Sequence, residues 1–278
     1  MKIILFDIDG TLVKAGGAGK LALNEAVRLL HGAKDVCSKF YLAGGTDKTN
    51  FVEAFMAAKG RKPTKKEAQI IEEKYLKLLP GEVKKAVKEK RYREIPGISG
   101  FLRSLCARKD VAVGLGTGNL KEGAVIKLRP SGLEKNFTFG GYGCDSYSRT
   151  RVLQKAVARA EKLLRIKVRG SDVYVIGDTH KDVIAAKEAG YHSGAVTAGF
   201  GELREIERAA PELIVKDFKD LKSWFIWLGI KKDPKGVRRG CYICPDTPIE
   251  HAHYGMTGLD QGDLNKKVKE MRLKKKRR

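Results

Sequence analysis

Met1-Lys-Ile-Ile-Leu-Phe-Asp7-Ile-Asp9-Gly10-Thr11 opens the chain. An apolar run of strand length passes straight into two carboxylates separated by one residue. A buried strand ending in Asp-x-Asp places two acids at the mouth of a sheet, where α/β folds build their sites. One acid alone could be a turn former. Two, followed at once by Gly-Thr, indicate a site for a cation and a phosphoryl group.

Working outward, the chain alternates strands and helices. Gly16, Gly17 and Gly19 punctuate a turn before a helix carrying Leu21, Ala22, Ala26, Val27 and Leu30. Residues 50–59 and 64–91 read as helices, the second opened by a Thr64/Glu67 capping box. Residues 14–95 therefore form a helical insert between two strands. Beyond Pro96, helices are expected at 98–108, 121–129, 150–164 and 181–189. Strands are expected at 111–115, 136–139, 173–176, 194–197 and 213–215. This alternation predicts an α/β fold, a parallel sheet covered on both faces, with core segments 1–13 and 96–228. The periodicity ends after Ile230, and residues 229–278 read as a basic C-terminal extension.

Hydrophobic content of 42% suits a globular chain. No apolar run reaches the roughly 18 residues of a membrane helix. The N-terminus reads as a core strand and not a signal peptide, so a cytoplasmic protein is expected, with no membrane partner. Five cysteines without frame-like spacing argue against a disulfide scaffold. The chain holds 56 Lys and Arg against 33 Asp and Glu, a net charge of +23. Residues 231–278 hold 14 basic and 6 acidic residues, so most of the excess lies elsewhere. That charge suits anionic partners, either small phosphorylated metabolites or nucleic acid.

Three expected strand ends carry polar groups: Asp7 and Asp9, then Thr117, then Asp178 and Asp182. In a parallel sheet these ends share one edge. Clustered carboxylates repel unless a cation lies between them, and such oxygens suit a hard ion such as Mg²⁺. Thr117, flanked by Gly116 and Gly118, offers a hydroxyl and accessible backbone N–H groups to a phosphate.

Asp7-Ile-Asp9-Gly10-Thr11, Thr117-Gly118-Asn119 and Gly177-Asp178-Thr179-His180-Lys181-Asp182, in that order, resemble motifs I, II and IV of the haloacid dehalogenase superfamily. The resemblance covers residues 1–228 and is nearest to the phosphoglycolate-phosphatase-like branch. It implies a Rossmann-like core and, for residues 14–95, a helical C1 cap. It implies a Mg²⁺-dependent phosphatase acting through an aspartyl-phosphate. Asp7 would be the nucleophile and Asp9 the acid/base. Thr117, Gly118 and Asn119 would hold the phosphoryl oxygens. Asp7, the Asp9 backbone carbonyl, Asp178 and Asp182 would serve the metal. The usual motif III Lys-Pro is missing. Arg149 stands at about the right place, with Lys127 and Arg151 as alternatives.

The insert is expected to choose the substrate, with phosphoglycolate as the leading single candidate. Gly16 and Gly17 would form its hinge. Thr46 and Asp47 could face the site, although the same pair also reads as a helix N-cap. In the extension, Cys241, Cys244, His251 and His253 satisfy Zn²⁺ stoichiometry, though their spacing is tighter than a standard finger. The final Lys and Arg run could contact nucleic acid, and a nucleotide or polynucleotide-end phosphatase is the alternative specificity. Monomer and homodimer both remain open.

Overall fold

A computed structural model describes residues 1–231 of the 278-residue chain. Its strands are β1 (Lys2–Phe6), β2 (Val13–Ala15), β3 (Tyr92–Glu94), β4 (Val111–Gly116), β5 (Gly140–Gly141), β6 (Val173–Gly177), β7 (His192–Val196) and β8 (Leu213–Val215). Six of them form one parallel sheet in the order β5-β4-β1-β6-β7-β8. The opening strand β1 is thus central, paired on one side with β4 and on the other with β6.

The helices are α1 (Ala18–His31), α2 (Asp47–Lys59), α3 (Lys65–Lys88), α4 (Ile98–Cys106), α5 (Lys121–Leu128), α6 (Arg149–Leu164), α7 (His180–Glu188), α8 (Leu203–Ala209) and α9 (Leu221–Trp227). The period-two alternation of β1 divides the core. Ile4 and Phe6 pack with Phe101 and Leu102 of α4 and Trp224 of α9. Ile3 and Leu5 pack with Leu153 and Ala156 of α6 and Ala185 and Ala186 of α7. Both faces are covered, which is why the strand is apolar from Ile3 to Phe6.

The strand expected at 136–139 is not formed. Residues Leu133–Asn136 make a 3-10 turn, and only Gly140 and Gly141 pair with β4. Phe137 and Phe139 do go to opposite faces of the core, which produces the strand-like pattern. The chain reaches the sheet edge only after them.

β2 and β3 pair as an antiparallel ribbon. The chain between them, α1 to α3, builds its own core from Leu23, Val27, Phe51, Phe55, Ile71, Tyr75 and Leu79. The Thr64/Glu67 capping box opens α3, and Thr46 caps α2 by accepting the Thr49 N–H at 3.2 Å.

Candidate active site

The C-terminal ends of β1, β4 and β6 meet at one edge of the sheet and bring the separated motifs together. Asp7, Asp178 and Asp182 are buried, and one carboxylate oxygen from each lies within 4.8 Å of the other two. Burial raises the Asp7 pKa, and the neighbouring Asp182 and Asp9 charges add to it against Arg149. Burial, then the charges of Asp182 and Asp7, push Asp178 well above its ordinary range. Three crowded carboxylates at a dry site are the donor set that a hard divalent cation relieves. The cluster therefore fits Mg²⁺, which the chain's family typically carries.

Asp178 is held from a distance in sequence. Its Oδ2 accepts the Phe200 N–H at 2.7 Å, and Thr11 donates to its Oδ1 at 3.4 Å. Asp182 uses Oδ2 to close a capping box, accepting from the Thr179 N–H and hydroxyl at 3.1 and 2.7 Å. Its Oδ1 pairs with Arg149. It stands in the acidic cluster and caps α7 at once.

Two buried cations serve two different acids. Arg149 is the first residue of α6, behind the N-cap Ser148. Its Nη2 lies 3.0 Å from Asp7 Oδ1 and also contacts Asp182. Lys127, on α5, donates to Asp9 Oδ2 at 2.6 Å and to Asn119 Oδ1 at 2.5 Å. Burial alone would lower the Lys127 pKa, but Asp9, Tyr75 and Asp47 raise it, so the ammonium stays charged. Arg151, the other alternative for that role, lies on the exposed face of α6. Lys127 reaches Asp9 and not Asp7, so only Arg149 pairs with the first acid. The Asp9 carboxylate lies outside the three-acid cluster, leaving its backbone carbonyl as what it can offer an ion.

Thr117 is fully buried, and its Oγ1 accepts from the Asn119 N–H and side-chain amide at 3.2 and 2.9 Å. The same amide nitrogen lies 2.9 Å from Asp9 Oδ2. Gly118 is where the insert meets the core. A Cβ there would sit 2.1 Å from the Gly45 carbonyl oxygen, so only glycine allows that approach. The Asp47 N–H donates to the Gly118 carbonyl at 2.7 Å, and Asp47 Oδ2 accepts the Leu120 N–H at 2.8 Å. Lys181 donates to the Ala43 carbonyl at 3.0 Å.

Together these elements enclose a cavity of about 430 Å³. Asp7, Asp9, Asn119, Lys127 and Arg149 line it from the core, and Gly17, Asp47, Phe51 and Tyr75 from the insert. Gly17 starts α1 with φ 80°, a conformation that favours glycine. Thr46 is a helix cap, whereas Asp47 lines the cavity. Sequence reasoning did not select Asn50, Tyr75 or Phe200. None carries a motif, and only the packing of the insert and the loop after β7 brings them here. Cys241, Cys244, His251, His253 and the terminal basic run lie outside the described residues. No helix among the described residues is long and apolar enough to cross a membrane.

A parallel α/β sheet with acids after β1 and β6 and in the first turn of α7, braced by a buried Arg, defines a hydrolase-type core. The haloacid dehalogenase-like hydrolase family model matches residues 1–190, and the chain belongs to that family. It is 28% identical over 126 residues to phosphoglycolate phosphatase of Synechococcus elongatus, covering 45% of this chain and 56% of that one. A phosphoglycolate phosphatase of Pseudomonas aeruginosa is 37% identical over 54 residues, 19% of this chain and 20% of its own. The chain thus spans about half or less of the curated relatives it matches. Among solved structures, a predicted phosphatase from Clostridium acetobutylicum superposes with a TM-score of 0.60 at 23% identity, over 81% of this chain and 98% of that one. A predicted phosphoglycolate phosphatase from Haemophilus somnus gives 0.56 at 20% identity, over 81% and 97%. The expected family and fold class hold.

Proposed function

We propose that the protein is a Mg²⁺-dependent phosphatase of small phosphomonoesters that works through an aspartyl-phosphate. The observation that carries this reading is the division of partners between Asp7 and Asp9. Arg149 braces Asp7, while Asn119 and Lys127 hold Asp9. Two acids on one strand end with separate partners suit two separate roles.

In the first step a carboxylate oxygen of Asp7 attacks phosphorus and the ester P–O bond breaks. Asp9 gives its proton to the departing alkoxide. In the second step water attacks the aspartyl-phosphate, Asp9 takes a proton from that water, and phosphate leaves with Asp7 restored. Thr117, the Gly118 and Asn119 backbone and Arg149 hold the phosphoryl oxygens, and the Arg fork suits them geometrically. Asp7, Asp178, Asp182 and the Asp9 carbonyl would hold Mg²⁺. The ion would neutralise charge on the transferring group. The insert over residues 14–95 acts as a cap that excludes water, with Gly16 and Gly17 at its base.

Phosphate release from a panel of phosphomonoesters tests this reading. Phosphoglycolate belongs in it, as the substrate in the relatives' names. Asp7→Asn should lower release by at least about 10³-fold, since removal of a nucleophile leaves only binding and electrostatics. Hydrolysis that persists in this variant would overturn the mechanism.

A further inference from the structure

Resting on the phosphatase reading, the insert side of the cavity indicates what the alcohol portion of the substrate looks like. Three polar side chains there each keep a polar atom without a hydrogen-bond partner among the described residues. Asp47 uses Oδ2 on the Leu120 N–H, and its Oδ1 is left without a partner on the cavity wall. Tyr75 is 2% exposed, packs its ring against Phe51, and its hydroxyl makes no hydrogen bond. The Asn50 side-chain amide likewise lines the cavity without a partner. Asp47 and Tyr75 are buried and Asn50 is half-buried. Polar groups in buried residues are nearly always paired, so the free oxygens of Asp47 and Tyr75, with Asn50 beside the same cavity, point to a ligand that pairs them.

All three line one cavity, and the Tyr75 hydroxyl stands near the Lys127 ammonium. A side chain at Gly19, at the start of α1, would begin 3.5 Å from the Tyr75 hydroxyl and 3.2 Å from Lys127 Nζ. Their chemistry is that of a carboxylate acceptor, a hydroxyl and an amide. The buried cations of the wall are already engaged, Lys127 by Asp9 and Asn119 and Arg149 by Asp7 and Asp182. Lys20 stands at the exposed rim. A second anion on the substrate would meet the Asp47 carboxylate in a low-dielectric wall and be repelled. Neutral hydroxyls would instead donate to Asp47 and exchange hydrogen bonds with Tyr75 and Asn50. The remaining wall, Leu23, Phe40 and Phe51, offers an apolar surface to C–H groups. At about 430 Å³ the cavity lies in the ~300–1,000 Å³ range of sites that enclose a whole organic ligand.

We propose that Asp47, Tyr75 and Asn50 form a hydroxyl-recognition subsite, and that the preferred substrate is a sugar or polyol phosphate.

The test compares kcat/KM of the Mg²⁺-supplied full chain on a pentose or hexose phosphate, on phosphoglycolate and on n-butyl phosphate. The sugar phosphate should exceed each of the others by about tenfold or more, the scale on which sites built to pair hydroxyls discriminate. Tyr75→Phe removes one partner with little change of shape. Asp47→Asn keeps an oxygen for Leu120 while turning a donor toward the cavity. Each should lower the sugar-to-butyl ratio about tenfold, through KM more than kcat. A preference for phosphoglycolate, or a ratio unchanged in both variants, would overturn the subsite and leave the phosphatase reading standing. Phosphate release from no member of the panel would overturn both.

Discussion

Lys127 Nζ stands 2.6 Å from Asp9 Oδ2, across 118 residues of sequence, with the Lys127 side chain 6% exposed. The ammonium lies on α5, one helix beyond the strand end that carries Thr117. It therefore ties the second strand of the site to the first. Breaking such a pair leaves a charge without its partner, which costs about 3–5 kcal/mol in a fully buried setting. Asp9 is 34% exposed toward the cavity, so water offsets part of that. Lys127→Met should thus lower unfolding stability by about 2 kcal/mol, read from urea melts. It should also lower kcat about 10- to 100-fold, because Asp9 loses its orientation. An unchanged kcat would remove Lys127 from the site's working parts.

Asp47 gives a pH prediction with a definite sign. Burial, opposed by Lys127 and the Leu120 N–H, pushes its pKa up to about 6 from an ordinary 3.8. A raised carboxyl is protonated more readily in the folded state. Its contribution to stability is therefore fully present below about pH 4 and lost as pH rises through about 6. Two units correspond to about 3 kcal/mol. Asp7 and Asp178 are raised as well and act in the same direction. Urea melts between pH 4 and 7 should show Asp47→Asn with a flatter pH dependence than the parent. Parallel curves would contradict this assignment.

Divalent cation should stabilise the fold, because the ion binds the clustered acids only when they are assembled. With Mg²⁺ at 100 times its Kd the gain is about 2.7 kcal/mol. Thermal melts with Mg²⁺ and then with EDTA would measure it. Asp178→Asn removes one of the three clustered carboxylates and should abolish most of the Mg²⁺-dependent rise in Tm.

Gly118→Ala tests the docking of the insert on the core. Its Cβ would meet the Gly45 carbonyl at 2.1 Å and Arg149 Nη1 at 2.8 Å. Neither the backbone oxygen nor the paired guanidinium can move freely. Overpacking of this kind costs about 1–3 kcal/mol, and KM should rise as the loop at 44–47 is displaced. Native-like melts with unchanged KM would show that the loop docks elsewhere.

Much of the core was legible because it is local. The run from Ile3 to Phe6 is apolar on both faces, which a central parallel strand requires, and it ends on its two acids. Thr64 and Glu67 announce α3 in the insert in the same local way. The expected strand at 136–139 failed because Phe137 and Phe139 alternate as a strand does while pairing depends on where the neighbouring edge lies. Thr46 and Asp47 illustrate the same boundary. The capping role of Thr46 follows from its own three-residue neighbourhood. The fate of Asp47 depends on Leu120, 73 residues away.

By itself the sequence determined most of the alternation of strands and helices in the core, the acids at the strand ends and the family they mark. These follow from short-range periodicity and from residues held at fixed spacing. Only the tertiary structure decided which cation serves which acid, that Lys127 reaches Asp9, and that Asp47, Tyr75 and Asn50 face one cavity. Those are distances across an insert packed against a sheet. They are set by how whole helices bury their apolar faces, which no local pattern encodes.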